Sequence, residues 1–191
     1  MTNNWYVLTG GPCSGKTSLL LELKERGFHT SPEAARSLID EYQNKGISIE
    51  EFRKNNDFLF QNNISKKLLE LESTAPKDKI VFFDRGIVDC IAYFQMLYSS
   101  DLIKDNPIDK KLIDNKINEF ESIAKKRYNK IFFLDLLDFE NDEGRIEDVE
   151  IAATLSNLTL KAYKKIGYNV IKIPAVSIKE RADLIIPYIL K

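Results

Sequence analysis

The chain alternates short continuous apolar runs with longer segments whose apolar residues recur every three to four positions. The runs "WYVLT" at 5–9, "IVFFD" at 80–84, "IFFLD" at 131–135 and "YNVIKI" at 168–173 have the length and the β-branched or aromatic make-up of buried strands. "FHT" at 28–30 predicts a fifth, very short strand. Helical periodicity covers 18–26, 31–46, 49–72, 88–98, 107–127, 150–166 and 178–190. Gly27 and Gly46 stop the first two of these helices, and Ser31 followed by Pro32 reads as the N-cap and first residue of the second. Strand and helix in alternation predict an α/β fold, with a five-stranded parallel sheet covered by helices on both faces. The 191 residues read as one domain, and the charged stretch "LDFENDEGRIED" predicts a lid loop at about 138–149.

In such a sheet, ligands sit beyond the carboxyl ends of the strands. Three of the predicted strands run directly into Gly10, Asp84 and Asp135, and the short one leads to Glu33. One site is therefore expected to collect these residues.

The strongest chemistry lies in "LTGGPCSGKTSLL" at 8–20, where Gly10, Gly15, Lys16 and Thr17 match G-x-x-x-x-G-K-[ST], the P-loop or Walker A pattern. It follows an apolar strand and opens an amphipathic helix, as a phosphate cradle must. Glycines let backbone N–H groups close on phosphate oxygens, and the helix N-terminus adds positive potential. Gly10, Gly11, Pro12, Cys13, Ser14, Gly15, Lys16, Thr17 and Ser18 are thus the expected nucleotide contacts, with Lys16 on the β- and γ-phosphates and Thr17 on Mg²⁺. Cys13 contributes mainly its backbone N–H.

What becomes of the phosphate depends on the other strand ends. "VFFDRG" places Asp84 where a carboxylate supporting Mg²⁺ belongs, and Arg85 where hydrolytic motors carry a water-activating Glu. An Arg there suits gripping or stabilising a moving phosphoryl group. Asp135 is a rival metal carboxylate without an adjacent Arg. Glu33, in "SPEAAR", is placed to take a proton from a substrate hydroxyl, and Arg36 one turn on to pair with it or bind an anionic substrate. Arg145 is expected to reach the phosphoryl group from the lid loop. Asp89 and Tyr93, a turn apart, are expected to face substrate, with Phe60 and Gln61 stacking on and hydrogen-bonding a ring. His29 reads as structural. An Asn-Lys-x-Asp guanine reader is absent: "NKIN" and "NKIF" lack the Asp.

Composition narrows the class without changing it. A net charge of -1 and a pI near 6.0 give no electrostatic footprint for nucleic acid. Cys13 and Cys90 make neither a metal spacing nor a disulfide framework, no run approaches the ~18 apolar residues of a membrane span, and the N-terminus has no signal-peptide pattern. A soluble cytoplasmic protein with a small-molecule substrate is expected; the sequence does not choose between monomer and homodimer.

The blocks "LTGGPCSGKTSLLLELKERGFHTSPEAAR", "FFDRGIVDCIAYF", "RYNKIFFL", "NDEGRIED" and "AYKKIGYNVIKIPAVSIKERADLI" together resemble the NadR/Ttd-type AAA-like P-loop proteins, which include the ribosylnicotinamide kinase domain of NadR. The resemblance runs nearly end to end. It implies a sheet of the nucleoside- and nucleotide-kinase type, order 2-3-1-4-5, with the Asp84 strand beside the cradle strand. It also places the "PAVS" turn, with Ala175 and Val176, near the nucleotide base. NadR-type kinases tend to carry Asp-Thr-Asp where this chain has Asp84-Arg85-Gly86, which instead looks like the Asp/Glu-Arg-Ser/Tyr segment of deoxynucleoside and thymidylate kinases. In the deoxynucleoside kinases a Glu after the second strand is the base, which matches Glu33. The expectation is an ATP- and Mg²⁺-dependent kinase for a nucleoside-like hydroxyl acceptor, with GTP open as a donor. The alternatives are a nucleotide-dependent regulatory or switch protein and a slow stand-alone NTPase.

Overall fold

A computed structural model of the chain describes residues 4–12, 14–98, 107–136 and 146–189. The elements follow as β1 (Trp5–Thr9), α1 (Lys16–Glu25), β2 (His29–Thr30), α2 (Ala34–Asn44), α3 (Ile49–Thr74), β3 (Val81–Asp84), α4 (Ile87–Leu97), α5 (Pro107–Ala124), β4 (Lys130–Leu134), α6 (Ile146–Ile166), β5 (Val170–Ile173) and α7 (Ile178–Ile185). The five strands form one parallel sheet in the order β2-β3-β1-β4-β5. The cradle strand is therefore central, with β3 on one side and β4 on the other, and the expected fold class and strand order hold.

Side-chain alternation along the strands sorts the core into two layers. Val7, Val81, Phe83 and Ile131 face α3, α4, α5 and α6, while Tyr6, Leu8, Phe82 and Phe132 face Leu19, Leu20 and Leu23 of α1 and Ala182 and Ile185 of α7. α4 is apolar nearly all round because it packs against the sheet and three helices at once.

Several boundaries differ from the sequence reading, each for a local reason. The Ser31 N–H donates to the Phe82 carbonyl at 2.8 Å, continuing the β2–β3 pairing. Ser31 and Pro32 therefore stay outside the helix, and the N-cap of α2 is Glu33 instead of Ser31. α3 is bent at Asn56, whose φ of -140° and ψ of 33° leave the helical region. The closing helix expected over 178–190 stops at Ile185 and gives way to a 3₁₀ turn, Ile186–Tyr188, at Pro187, which has no N–H to continue the ladder. Of the segment expected to form a lid loop, residues 146–149 belong to α6, and 138–145 lie outside the described residues. Among the described residues no helix is long and apolar enough to cross a membrane.

Candidate functional site

The loop from Thr9 to Lys16 is shaped by its glycines. Gly10 adopts φ 141°, and a Cβ there would lie 2.5 Å from the Leu134 carbonyl oxygen. A Cβ on Gly11 would meet Leu136 Cδ2 at 2.7 Å and the Ala152 carbonyl oxygen at 2.9 Å. The turn thus lies directly against β4's end and α6, an approach no larger residue permits. Gly15, at φ 81°, caps α1 and turns its first amides toward the loop's mouth.

Lys16 is buried and folds back over the loop, its Nζ donating to the Gly11 carbonyl at 2.7 Å, the Ser14 hydroxyl at 3.1 Å and the Gly10 carbonyl at 3.4 Å. Burial, followed by the nearby Arg85 guanidinium, lowers its pKa from 10.5 to about 7. Thr17 and Ser18 are exposed at the start of α1. Cys13 lies outside the described residues. Ala175 and Val176 are exposed just beyond β5, on the carboxyl edge of the sheet. Sequence reasoning missed Arg181: it is fully buried in α7 and its Nη1 donates to the Ser14 carbonyl at 2.6 Å, holding the loop from below. Its sequence carries no motif that marks it.

Next to the loop, Asp84 ends β3 opposite Leu8 and is 2% exposed. Its Oδ1 has no hydrogen-bond partner among the described residues, and burial raises its pKa from 3.8 to about 6 despite the opposing pull of Lys16 and Arg85. A buried carboxylate with an unspent oxygen, next to the cradle that Lys16 closes, is a hard oxygen donor that fits a water-carrying Mg²⁺. Thr17 and Asp84 are the residues that would hold it. Asp135, the rival, has its N–H on the Ile173 carbonyl at 3.0 Å and is only partly buried.

Arg85 takes the left-handed conformation, φ 68°, uncommon for a residue with a long side chain. Its Nη1 donates to the Gly10 carbonyl at 3.0 Å and to Asp89 Oδ1 at 3.2 Å, and its guanidinium carbon lies 5.5 Å from the Tyr93 ring centre. Asp89 is 1% exposed and takes three further donors: Thr9 Oγ1 at 2.5 Å, Tyr163 Oη at 2.7 Å and the Gly86 N–H at 2.9 Å. Expected to meet substrate, Asp89 instead has its oxygens spent within the protein, and its geometry is that of a bracket for Arg85.

Between α2, α3 and α4 lies a chamber of about 190 Å³ that opens beside this turn, with Glu33, Gln61, Asp84, Arg85 and Tyr93 on its wall and Phe60 and Leu68 among its apolar side chains. Glu33 is half-buried and has no hydrogen bond to its carboxylate from the described residues. Gln61 is 6% exposed and lines the chamber, and no hydrogen bond to its amide comes from the described residues. Buried polar groups without partners are uncommon unless a ligand or water serves them. Arg36 is not brought in: it is exposed and absent from the chamber wall, because a helix starting at Ala34 turns Ala34, Leu38, Ala35 and Ile39 inward and Arg36 away. No ion pair joins it to Glu33 among the described residues. Arg145 lies outside the described residues, and His29 stands exposed on the edge strand.

A family model described as an AAA domain, AAA_28, matches residues 5–181, and the chain belongs to that family of P-loop nucleotide-binding domains. No curated protein matches the sequence. Among solved structures, deoxyadenosine kinase from M. mycoides superposes with a TM-score of 0.68 at 15% identity, covering 97% of this chain and 98% of that one. Thymidylate kinase from Candida albicans gives 0.63 at 17% identity, covering 99% and 92%. Shikimate kinase from Aquifex aeolicus gives 0.55 at 17% identity, covering 97% and 96%. At such identities the likeness is one of fold.

Proposed function

We propose that this protein is a kinase that transfers the γ-phosphoryl group of ATP to a hydroxyl of an uncharged, nucleoside-like acceptor. The observation that carries this reading is the chamber beside the cradle. A switch or a slow NTPase needs room for a water molecule, whereas about 190 Å³ lined by aromatic, amide and carboxylate groups is room for an organic acceptor. The family and the kinase folds it resembles agree with this reading.

In the reaction proposed, the acceptor hydroxyl oxygen bonds to the γ-phosphorus as the bond from phosphorus to the β-bridging oxygen breaks. ADP leaves, and the hydroxyl proton passes to the Glu33 carboxylate. Lys16 and the cradle amides grip the phosphates, Ala175 and Val176 border the base, and Arg85 neutralises charge on the moving group, with Arg145 as a second source from the lid segment. Mg²⁺, held through Thr17 and Asp84, would supply further neutralisation of phosphate charge. Gln61 and Tyr93 orient the acceptor ring, with Phe60 packed beneath.

The acceptor is neutral on electrostatic grounds. On the chamber wall three carboxylates, Glu33, Asp84 and Asp89, face two guanidiniums, Arg53 and Arg85. Arg85 is already engaged by Asp89, and Arg53 by Asp57 at 3.1 Å. Such a wall disfavours a dianionic phosphate ester and tolerates a hydroxyl compound. The test is ADP formation with MgATP against paired nucleosides, including nicotinamide riboside, and their monophosphates. Stimulation by nucleosides, with a phosphorylated product of the expected mass, supports the reading; stimulation only by monophosphates overturns the neutral acceptor. No stimulation by any acceptor, with tight nucleotide binding, favours a switch protein.

A further inference from the structure

A second buried polar cluster lies outside the chamber, under the turn that carries Arg85. Glu72, near the end of α3, is wholly buried. Its Oε1 accepts from Tyr128 Oη at 2.5 Å and its Oε2 from Arg127 Nε at 2.5 Å. The Tyr128 oxygen in turn accepts from the Ile87 N–H at 2.7 Å, one of the N-terminal amides of α4. The Tyr128 ring also fills the space over Gly86, where a Cβ would lie 2.9 Å from three ring and hydroxyl atoms. Tyr128 is itself fixed at its backbone, because Tyr168 Oη accepts from the N–H groups of Arg127 and Tyr128, both at 3.1 Å.

From the proposed kinase reading and this arrangement, we infer that Tyr128, oriented by Glu72, is a positioning residue that holds Arg85 in its left-handed, phosphoryl-facing conformation. Three observations converge on the Arg85–Gly86–Ile87 turn. Arg85 occupies the left-handed region at φ 68°, which is sterically unfavourable for a residue with a Cβ, so something must hold it there. Gly86 leaves room for the Tyr128 ring and for no side chain of its own, so the turn and the ring define each other's position. The Ile87 amide is bound to the tip of that ring, so the first turn of α4 is pinned at a fixed distance from β4. A buried carboxylate is a poor way to gain stability, since an apolar pair of equal volume commonly serves as well. It is a good way to fix the direction of a phenol hydroxyl, whose proton must point to Glu72 for its lone pair to face Ile87. The Asp89 bracket secures the far end of the Arg85 side chain, and Tyr128 secures its backbone.

The test is a mutant cycle on ATP turnover, with the best acceptor of the nucleoside panel and with water alone. Tyr128→Phe keeps the ring and removes the hydroxyl. It is expected to lower kcat about 10- to 100-fold with the Kd for MgATP unchanged. The Arg85→Ala/Tyr128→Phe double variant should turn over at the rate of Arg85→Ala alone, because the tyrosine acts through the arginine. Glu72→Gln, which still offers an oxygen to the phenol, should keep most of the wild-type rate, and a loss as large as that of Tyr128→Phe would overturn the orienting part of Glu72. An unchanged kcat in Tyr128→Phe, or losses that multiply in the double variant, overturns the inference. If neither acceptor nor water draws the phosphoryl group, the kinase reading has failed and the arginine side-chain spectrum decides. In ¹⁵N-arginine protein the Arg85 Nη signals should be resolved and should merge in Tyr128→Phe; identical spectra overturn the assignment.

Discussion

The phosphate cradle is built from main chain, and the chamber beside it from side chains carried by α2, α3 and α4. In the cradle, glycines at Gly10, Gly11 and Gly15 bring the backbone against β4 and α6, and Lys16 is held by three oxygens of the loop itself. In the chamber the polar groups are spaced and underused: among the described residues the side chains of Glu33 and Gln61 have no hydrogen-bond partner, and neither does Asp84 Oδ1. On the proposed kinase reading, the main-chain cradle would recognise what every nucleoside triphosphate shares, and the chamber of side chains would recognise one acceptor's pattern of donors and acceptors. The two regions meet at Asp84–Arg85, the turn that must serve both.

The sharpest way to separate them is to remove one function and keep the other. Lys16→Ala should cost about 10²–10³-fold or more in turnover, with MgATP binding lost by calorimetry; wild-type affinity and rate would mean that the cradle is not used. Glu33→Gln should slow acceptor-dependent transfer about 10²- to 10⁴-fold while leaving the Kd for MgATP within about twofold, which a quench-flow assay alongside calorimetry would check. If both quantities move together, the cradle and the chamber are not separable.

Asp84→Asn tests the shared turn in two directions at once. The folded-state pKa of Asp84 lies above its ordinary 3.8, so the native protein holds this proton more tightly than the unfolded chain. Its charge therefore removes stability as pH rises from about 3.8 through about 6. At pH 7.5 the Asn variant should be more stable by about 1–3 kcal/mol in denaturant titration, yet slower in Mg²⁺-dependent turnover. A variant that is both less stable and fully active would contradict the metal role.

Lys16 gives the opposite sign. Its folded-state pKa lies below 10.5, so the unfolded chain binds more protons between about pH 7 and 10.5, and this group makes the fold more stable as pH rises through that window. Phosphate binding restores the charge, so MgATP binding at pH 8 should take up part of one proton, read by calorimetry in buffers of different ionisation enthalpy. The smallest effect is expected of Gln61→Leu, about a tenfold rise in the KM for the acceptor with kcat and MgATP affinity nearly unchanged. An unaltered KM would remove Gln61 from acceptor recognition.

How far each region was legible in the sequence follows from the same contrast. The cradle's spacing is local, so Gly10 to Thr17 could be read as a motif, and the apolar runs around 5–9, 80–84 and 131–135 marked the strands that carry it. The chamber is assembled from distant segments, and there the reading of side-chain direction faltered. Arg36 and Glu33 share a helix in sequence, but the pairing of Ser31 with Phe82 delays the start of α2 and turns Arg36 outward. Asp89 looked like a substrate ligand because nothing local showed that Thr9 and Tyr163 would consume its oxygens. Arg181 and Tyr128 left no signal at all, since each reaches its target through a hydrogen bond with a main-chain atom far away in sequence.

The most direct test of the account is the destination of the γ-phosphoryl group, followed by ³¹P NMR of the protein with MgATP and neutral nucleosides. The account predicts a phosphomonoester signal that grows in step with ADP and nearly vanishes in Glu33→Gln. Inorganic phosphate as the sole new signal, at a rate indifferent to every acceptor and to Glu33, would contradict it.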